Sequence, residues 1–200
     1  MELLIIILLV GTSLAGLTFI VERGLALRWK KVVPPEVENA VENCLAASDL
    51  PMLRRVCEQA PSPLSRLLLL ADKNRDWPFE ENVDALQTRA RYEVVKLERG
   101  LVILEIVVGI APLLGLVGTI YGLIILFGGM SAAASGDNSN IANGIALALR
   151  ATLMGLLTAI PSLVAWSYYN KKVETLAVEM ETLCDEFLRR QYRGETSTTN

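Results

Sequence analysis

At 200 residues, 52% hydrophobic and with a mean hydropathy of +0.40, the chain is too apolar for a water-soluble domain of its size. A net charge of −3, without a glycine-rich phosphate loop, argues against nucleic-acid and nucleotide partners, and the lack of histidine removes the commonest general base and metal ligand. Cys44, Cys57 and Cys184 are odd in number and match no zinc spacing, so they read as reduced thiols, and no metal, cofactor or enzymatic centre is expected.

The apolar surplus lies in three blocks, Leu3 to Val21, Leu101 to Phe127 and Ile141 to Ser167. A hydrocarbon core of about 30 Å takes roughly 20 apolar residues to cross as a helix. Backbone in lipid must satisfy its own hydrogen bonds, and without strand-length alternation these blocks have to be helical. The expectation is an all-α membrane protein with three transmembrane helices and long cytoplasmic helical extensions.

The first block, 1–21, carries Glu2 where a signal peptide has basic residues and shows no cleavage motif before Arg23, which predicts a retained signal anchor. The insert that follows, 22–100, holds 13 Lys and Arg. With the 5 after Ser167, 18 of the 19 basic residues lie on one side of the membrane, and the link 129–140 has none. The positive-inside rule makes that side cytoplasmic, with the N-terminus outside and the C-terminus inside.

Within the insert three short amphipathic helices are expected. One opens at Pro35 and Glu36, and the next two have Asp49 and Ser62 as candidate N-caps, each close before a proline. From about Glu80 apolar residues at Leu86, Ala90, Val94, Leu97, Leu101, Leu104 and Val108 recur by threes and fours, predicting one helix that runs unbroken into the second span, 101–128. After the third span, 141–168, a helical tail 169–193 carries the seam Val173, Leu176, Met180, Leu183 and Phe187; the last residues, 194–200, are polar and small and expected to be disordered.

The second span contains "APLLGLVGTIYGLI", with a proline, a threonine and three glycines that mere anchoring does not need. Gly115, Gly118 and Gly122 share one face, and Gly118 with Gly122 forms a GxxxG pair that permits close approach. The third span presents Gly144, Ala148, Thr152, Gly155, Ala159 and Ser162. Two such faces on antiparallel neighbours imply tight packing. Neither these faces nor the tail seam looks satisfiable within one three-helix chain, which predicts a homo-oligomer with the second and third spans around its axis.

Counted from the outer link, Thr119 and Thr152 fall at about the same depth, roughly 13 to 17 Å. Each can bond back to its own helix, or the two can contribute to a hydroxyl ring in a pore. Two ionisable side chains fall within the blocks of the inner spans besides tyrosine, Glu105 near the cytoplasmic end and Arg150. Glu105 reads either as a snorkelling residue or as a proton exit. Arg150 reads either as a residue buried between subunits or as a cation that pairs with a passing acid.

"APLLGLVGTIYGLI" together with "GIALALRATLMGLLTAIPSLVAW" resembles the paired signature of the ExbB/TolQ/MotA proton-channel family, nearer its ExbB and TolQ branch. The resemblance implies a homopentamer around an ExbD- or TolR-like partner with one span and a membrane Asp. A TonB- or TolA-like protein is a further implied partner. It also implies location in a bacterial inner membrane, and proton flow that drives rotation for outer-membrane transport or envelope work. On the family motif Thr119 and Thr152 fall on the pore threonines, and Pro112 and Pro161 on the characteristic prolines. One position departs: many relatives have Glu five residues before the third-span threonine, where this chain has Leu147, and Arg150 stands three residues on. The competing expectation is an oligomeric scaffold that conducts nothing.

Overall fold

A proline-free stretch rich in Leu, Ile and Val makes α1, Glu2–Ala26, helical throughout; α7, Leu101–Ala133, and the first part of α8, Ser139–Thr198, are similarly apolar, each with one proline inside. All three are long and apolar enough to cross a membrane. The computed structural model describes the backbone of residues 2–44, 47–133 and 139–198, and every regular element among them is helical. The chain divides into two compact units: residues 1–23 with 100–169, and residues 24–99 with 170–200.

In the first unit α7 and α8 are antiparallel, and α1 runs beside them in the direction of α8. Ile5 and Leu9 of α1 cluster with Ala151, flanked by Leu114 and Tyr121. Further along, a Cβ on Gly16 would meet Ser162 Oγ at 3.0 Å and Val107 at 3.2 Å, so glycine lets α1 settle against both neighbours there. Near its end, the Tyr169 hydroxyl donates to the Ile20 carbonyl at 2.8 Å.

The helix expected to run unbroken from Glu80 is instead two, α6, Phe79–Glu98, and α7, separated by a turn at Arg99 and Gly100. Glycine is a poor helix interior residue, and here it also makes room for another side chain. A Cβ at Gly100 would lie 2.2 Å from Arg23 Nε, because the Arg23 side chain lies over that position. At the other end of α7, residues 134–138 of the expected outer link lie outside the described residues. The stretch expected to be disordered continues α8 as far as Thr198, since no proline interrupts propagation of an established helix; residues 199–200 lie outside the described residues.

The second unit is built from α2, Trp29–Val32; α3, Pro35–Asn43; α4, Leu50–Gln59; α5, Pro63–Lys73; α6; and α8 from residue 170 onward. Ser62 caps α5, accepting from Ser65 N at 3.1 Å. Asp49 does not cap α4. The preceding 3₁₀ turn leaves it in a helical conformation, φ −90° and ψ −13°, and a side-chain cap needs an extended one.

The tail seam finds its partners inside this unit. Leu176, Met180, Leu183 and Phe187 are buried in one cluster with Val37, Leu53 and Leu67 of the insert. The three cysteines are free and buried. Burial in this apolar core, only partly offset by a hydrogen bond from Ser65, pushes the Cys57 thiol up to about 11. Glu93, its side chain 1% exposed, accepts two hydrogen bonds from Arg66 at 3.0 and 2.6 Å and lies near Arg89 and Lys96. Burial alone would raise its pKa, but the Arg66 bonds and the three cations together hold it below the usual carboxylate value.

Candidate functional site: the α7–α8 contact and its polar edge

Proline inside a membrane helix removes one backbone donor, so Pro112 in α7 and Pro161 in α8 leave the carbonyls of Val108 and Leu157 without their usual partner. Both helices nevertheless continue through these prolines. What fixes their pairing is the loss of side chains along the seam. A Cβ on Gly115 would sit 3.1 Å from the Ala151 carbonyl oxygen, one on Gly118 2.2 Å from Ala151 Cβ, and one on Gly122 2.6 Å from the Gly144 carbonyl oxygen. From the other side, a Cβ on Gly155 would meet the Ala111 carbonyl oxygen at 2.7 Å, and one on Gly144 the Gly122 carbonyl oxygen at 2.7 Å. Backbone is thus in contact with backbone over about three turns.

This is the close approach the GxxxG pattern implies, achieved within one chain. The small-residue faces and the tail seam are both satisfied without a second copy, so the expectation that they demand an oligomer does not hold. The residue at the centre of the seam is Ala151, which the pattern reading passed over for Thr152. A register of Gly144, Ala148, Ala151, Gly155, Thr158 and Ser162, in steps of 4, 3, 4, 3 and 4, is the stripe that is buried. Thr152 lies beside this stripe and is exposed.

Thr119 is half-buried and Thr152 exposed, and their hydroxyl oxygens are 2.6 Å apart. Thr119 Oγ1 also lies 3.0 Å from the Gly115 carbonyl oxygen, to which it donates. A hydroxyl has one proton. With that of Thr119 engaged by Gly115, Thr152 is the donor in the pair, and its own lone pairs stay available. Thr119 thus bonds back to its own helix and also receives a bond across the seam.

Glu105, Pro112 and Thr119 follow at intervals of seven residues, about 20° short of two full turns each, so they share one face of α7. Glu105 is exposed and has no hydrogen-bond or ion-pair partner among the described residues. Around this polar edge the exposed side chains are apolar, including Leu113, Leu116, Ile120 and Leu123 of α7 and Ile145, Leu149, Leu153 and Leu156 of α8.

Arg150 is also exposed, without a partner among the described residues, and two residues of helix turn it about 200° from Thr152. The structure brings Thr119 and Thr152 together and leaves Arg150 on the opposite flank of the buried stripe, with half-buried Leu147 one turn before it. Among the described residues no group of three or more Cys, Asp or Glu side chains could hold a metal.

Residues 59–182 match the MotA/TolQ/ExbB proton channel family. The Tol-Pal system protein TolQ of Pseudomonas aeruginosa is 30% identical over 198 residues, covering 92% of this chain and 84% of that protein. The biopolymer transport protein ExbB of Helicobacter pylori is 34% identical over 97 residues, 48% of this chain and 62% of that relative. The TolQ of Haemophilus influenzae is 32% identical over 114 residues, 56% of this chain and 50% of its own length.

Proposed function

The chain belongs to the MotA/TolQ/ExbB proton channel family, and on that premise we propose that it is the channel-forming subunit of an inner-membrane complex that couples proton flow to work at the outer membrane or envelope. The observation that carries this reading is the hydroxyl pair Thr119–Thr152 on an otherwise apolar surface. Exposed hydroxyls with free lone pairs, in line with the Glu105 carboxylate, are poorly placed against lipid and well placed against water or another subunit. A homopentamer with the α7–α8 edges turned to its axis gathers five such pairs into a ring.

The chain cannot conduct alone under this reading. Its inner spans hold one acid, Glu105, at the cytoplasmic end of α7, and none at the level of the threonines. The titrating group at mid-membrane must come from a partner, and a single-span subunit of the ExbD or TolR type with a membrane Asp supplies it. The hydroxyl ring then solvates that carboxylate, and Glu105 releases the proton to the cytoplasm. Orientation follows the basic residues, with the N-terminus periplasmic and the C-terminus cytoplasmic. TonB- or TolA-like proteins are the fitting recipients of the motion.

The test is co-reconstitution of the chain with its single-span partner in dye-loaded vesicles. Thr152→Val keeps the side-chain shape and removes the donor. Assembly is expected to persist while proton flux falls at least tenfold. Flux unchanged in Thr152→Val and in Thr119→Val returns the pair to helix packing and favours a non-conducting scaffold.

A further inference from the structure

Immediately after α1 the sequence reads "LRWKKVV", residues 27–33, and the structure treats its two kinds of residue in opposite ways. Leu27, Val32 and Val33 are at most 1% exposed, and the two valines belong to the core of the second unit. Between them Arg28, Trp29, Lys30 and Lys31 are all exposed. The backbone is held by Lys31 N donating to the Arg28 carbonyl at 2.9 Å and Val33 N to that of Trp29 at 2.8 Å. Three cations and an indole are thus presented on a short bracket pinned at both ends.

The cations are also uncompensated. Arg54 pairs with Asp72, Arg66 and Arg89 with Glu93, Lys171 with Glu174, Arg189 with Asp185 and Arg190 with Glu186. Arg28, Lys30 and Lys31 have no such partner among the described residues, and Glu22, the nearest acid before them, is engaged by Arg23. They begin two residues beyond Ala26, the end of a membrane span, so chain length alone keeps them within roughly 18 Å of that end. Basic residues in that position attract anionic headgroups, and an indole at the span end favours the headgroup level.

We propose that Arg28, Trp29, Lys30 and Lys31 form an anionic-phospholipid site that holds the end of α1 at the membrane surface. The cations bind headgroup phosphates and Trp29 lies among the glycerol and carbonyl groups. The site depends on α1 being a span and not on whether the pore conducts.

The experiment uses the full chain in nanodiscs of mixed phosphatidylcholine and phosphatidylglycerol, with lipids retained after mild delipidation read by native mass spectrometry. Wild type is expected to retain phosphatidylglycerol above its bulk fraction. The preference is expected to fall about fivefold for each cation removed in Arg28→Gln, Lys30→Gln and Lys31→Gln, the factor equivalent to about 1 kcal/mol per basic residue. Arg189→Gln with Arg190→Gln, which removes two paired cations, is expected to leave it unchanged. A triple variant with wild-type retention overturns the proposal. So does a triple variant that keeps its lipid but no longer co-purifies with the single-span subunit, because the bracket then binds an acidic protein segment. Proton flux of the same variants, co-reconstituted with the single-span partner in dye-loaded vesicles, reports the channel reading separately.

Discussion

Gly122→Ala puts one methyl group where the backbones of the two inner spans touch. The added Cβ would lie 2.6 Å from the Gly144 carbonyl oxygen, 2.8 Å from Ala148 N and 2.9 Å from Ala148 Cβ. None of these is the free end of a flexible side chain, so the helices themselves must part, by roughly 0.8 Å to reach an ordinary contact at 3.4 Å. A gap of that size forfeits about a quarter to a half of the dispersion attraction between the atoms it separates. Overpacking of this kind costs about 1–3 kcal/mol, against a helix-propensity gain of about 1 kcal/mol for replacing glycine by alanine. The expected net loss is about 1 kcal/mol. The strain falls one turn from Thr119, whose bond to Thr152 begins at 2.6 Å and lengthens as the helices part. Thermal melts in mild detergent should show Gly122→Ala below wild type, with reduced flux beside its partner. Gly11→Ala is the control, because a Cβ there meets nothing within 4 Å, and it should melt at or above wild type. A Gly122→Ala protein that melts like Gly11→Ala and conducts normally would refute the backbone-contact argument.

Glu93 is expected to make the second unit acid-sensitive: its pKa is lowered in the folded state, so its contribution is full above the unfolded value of about 4.3 and is lost as pH falls through the folded value. Denaturant titrations at neutral pH should show Glu93→Gln less stable by about 2 kcal/mol, and the gap to wild type should close as pH is lowered below that range; a constant gap contradicts the assignment. Cys57, its thiol at about 11 and buried, should resist iodoacetamide at pH 7.5 until denaturant is added, and rapid labelling of the native protein would show the core to be open. Arg150→Leu removes a cation without a partner among the described residues, so assembly and melting temperature should hold while flux with the partner falls; normal flux with normal assembly would place Arg150 outside the conduction path.

Composition determined the fold class, because runs of about 20 apolar residues without strand-length alternation form helices where no water satisfies the backbone. Periodicity found the insert helices, the apolar face of the tail and the glycine seam, since each depends on spacing along one helix. The sequence also placed Thr119 and Thr152 at one level, by counting turns from a short link.

What a one-dimensional count could not resolve was rotation about the helix axes. Residues 151 and 152 differ by about 100°, and both fit a small-residue stripe. Only packing against Gly118 put Ala151 into the seam and left Thr152 exposed at its edge, its hydroxyl bonded to that of Thr119. Tertiary contact likewise decided that the tail seam closes on the insert of the same chain, since an apolar face records that it needs a partner but not which one. The break at Gly100 belongs to the same class. Local spacing favours a continuous helix there, and the side chain lying over that glycine comes from Arg23, far away in sequence and adjacent only once the three spans have assembled.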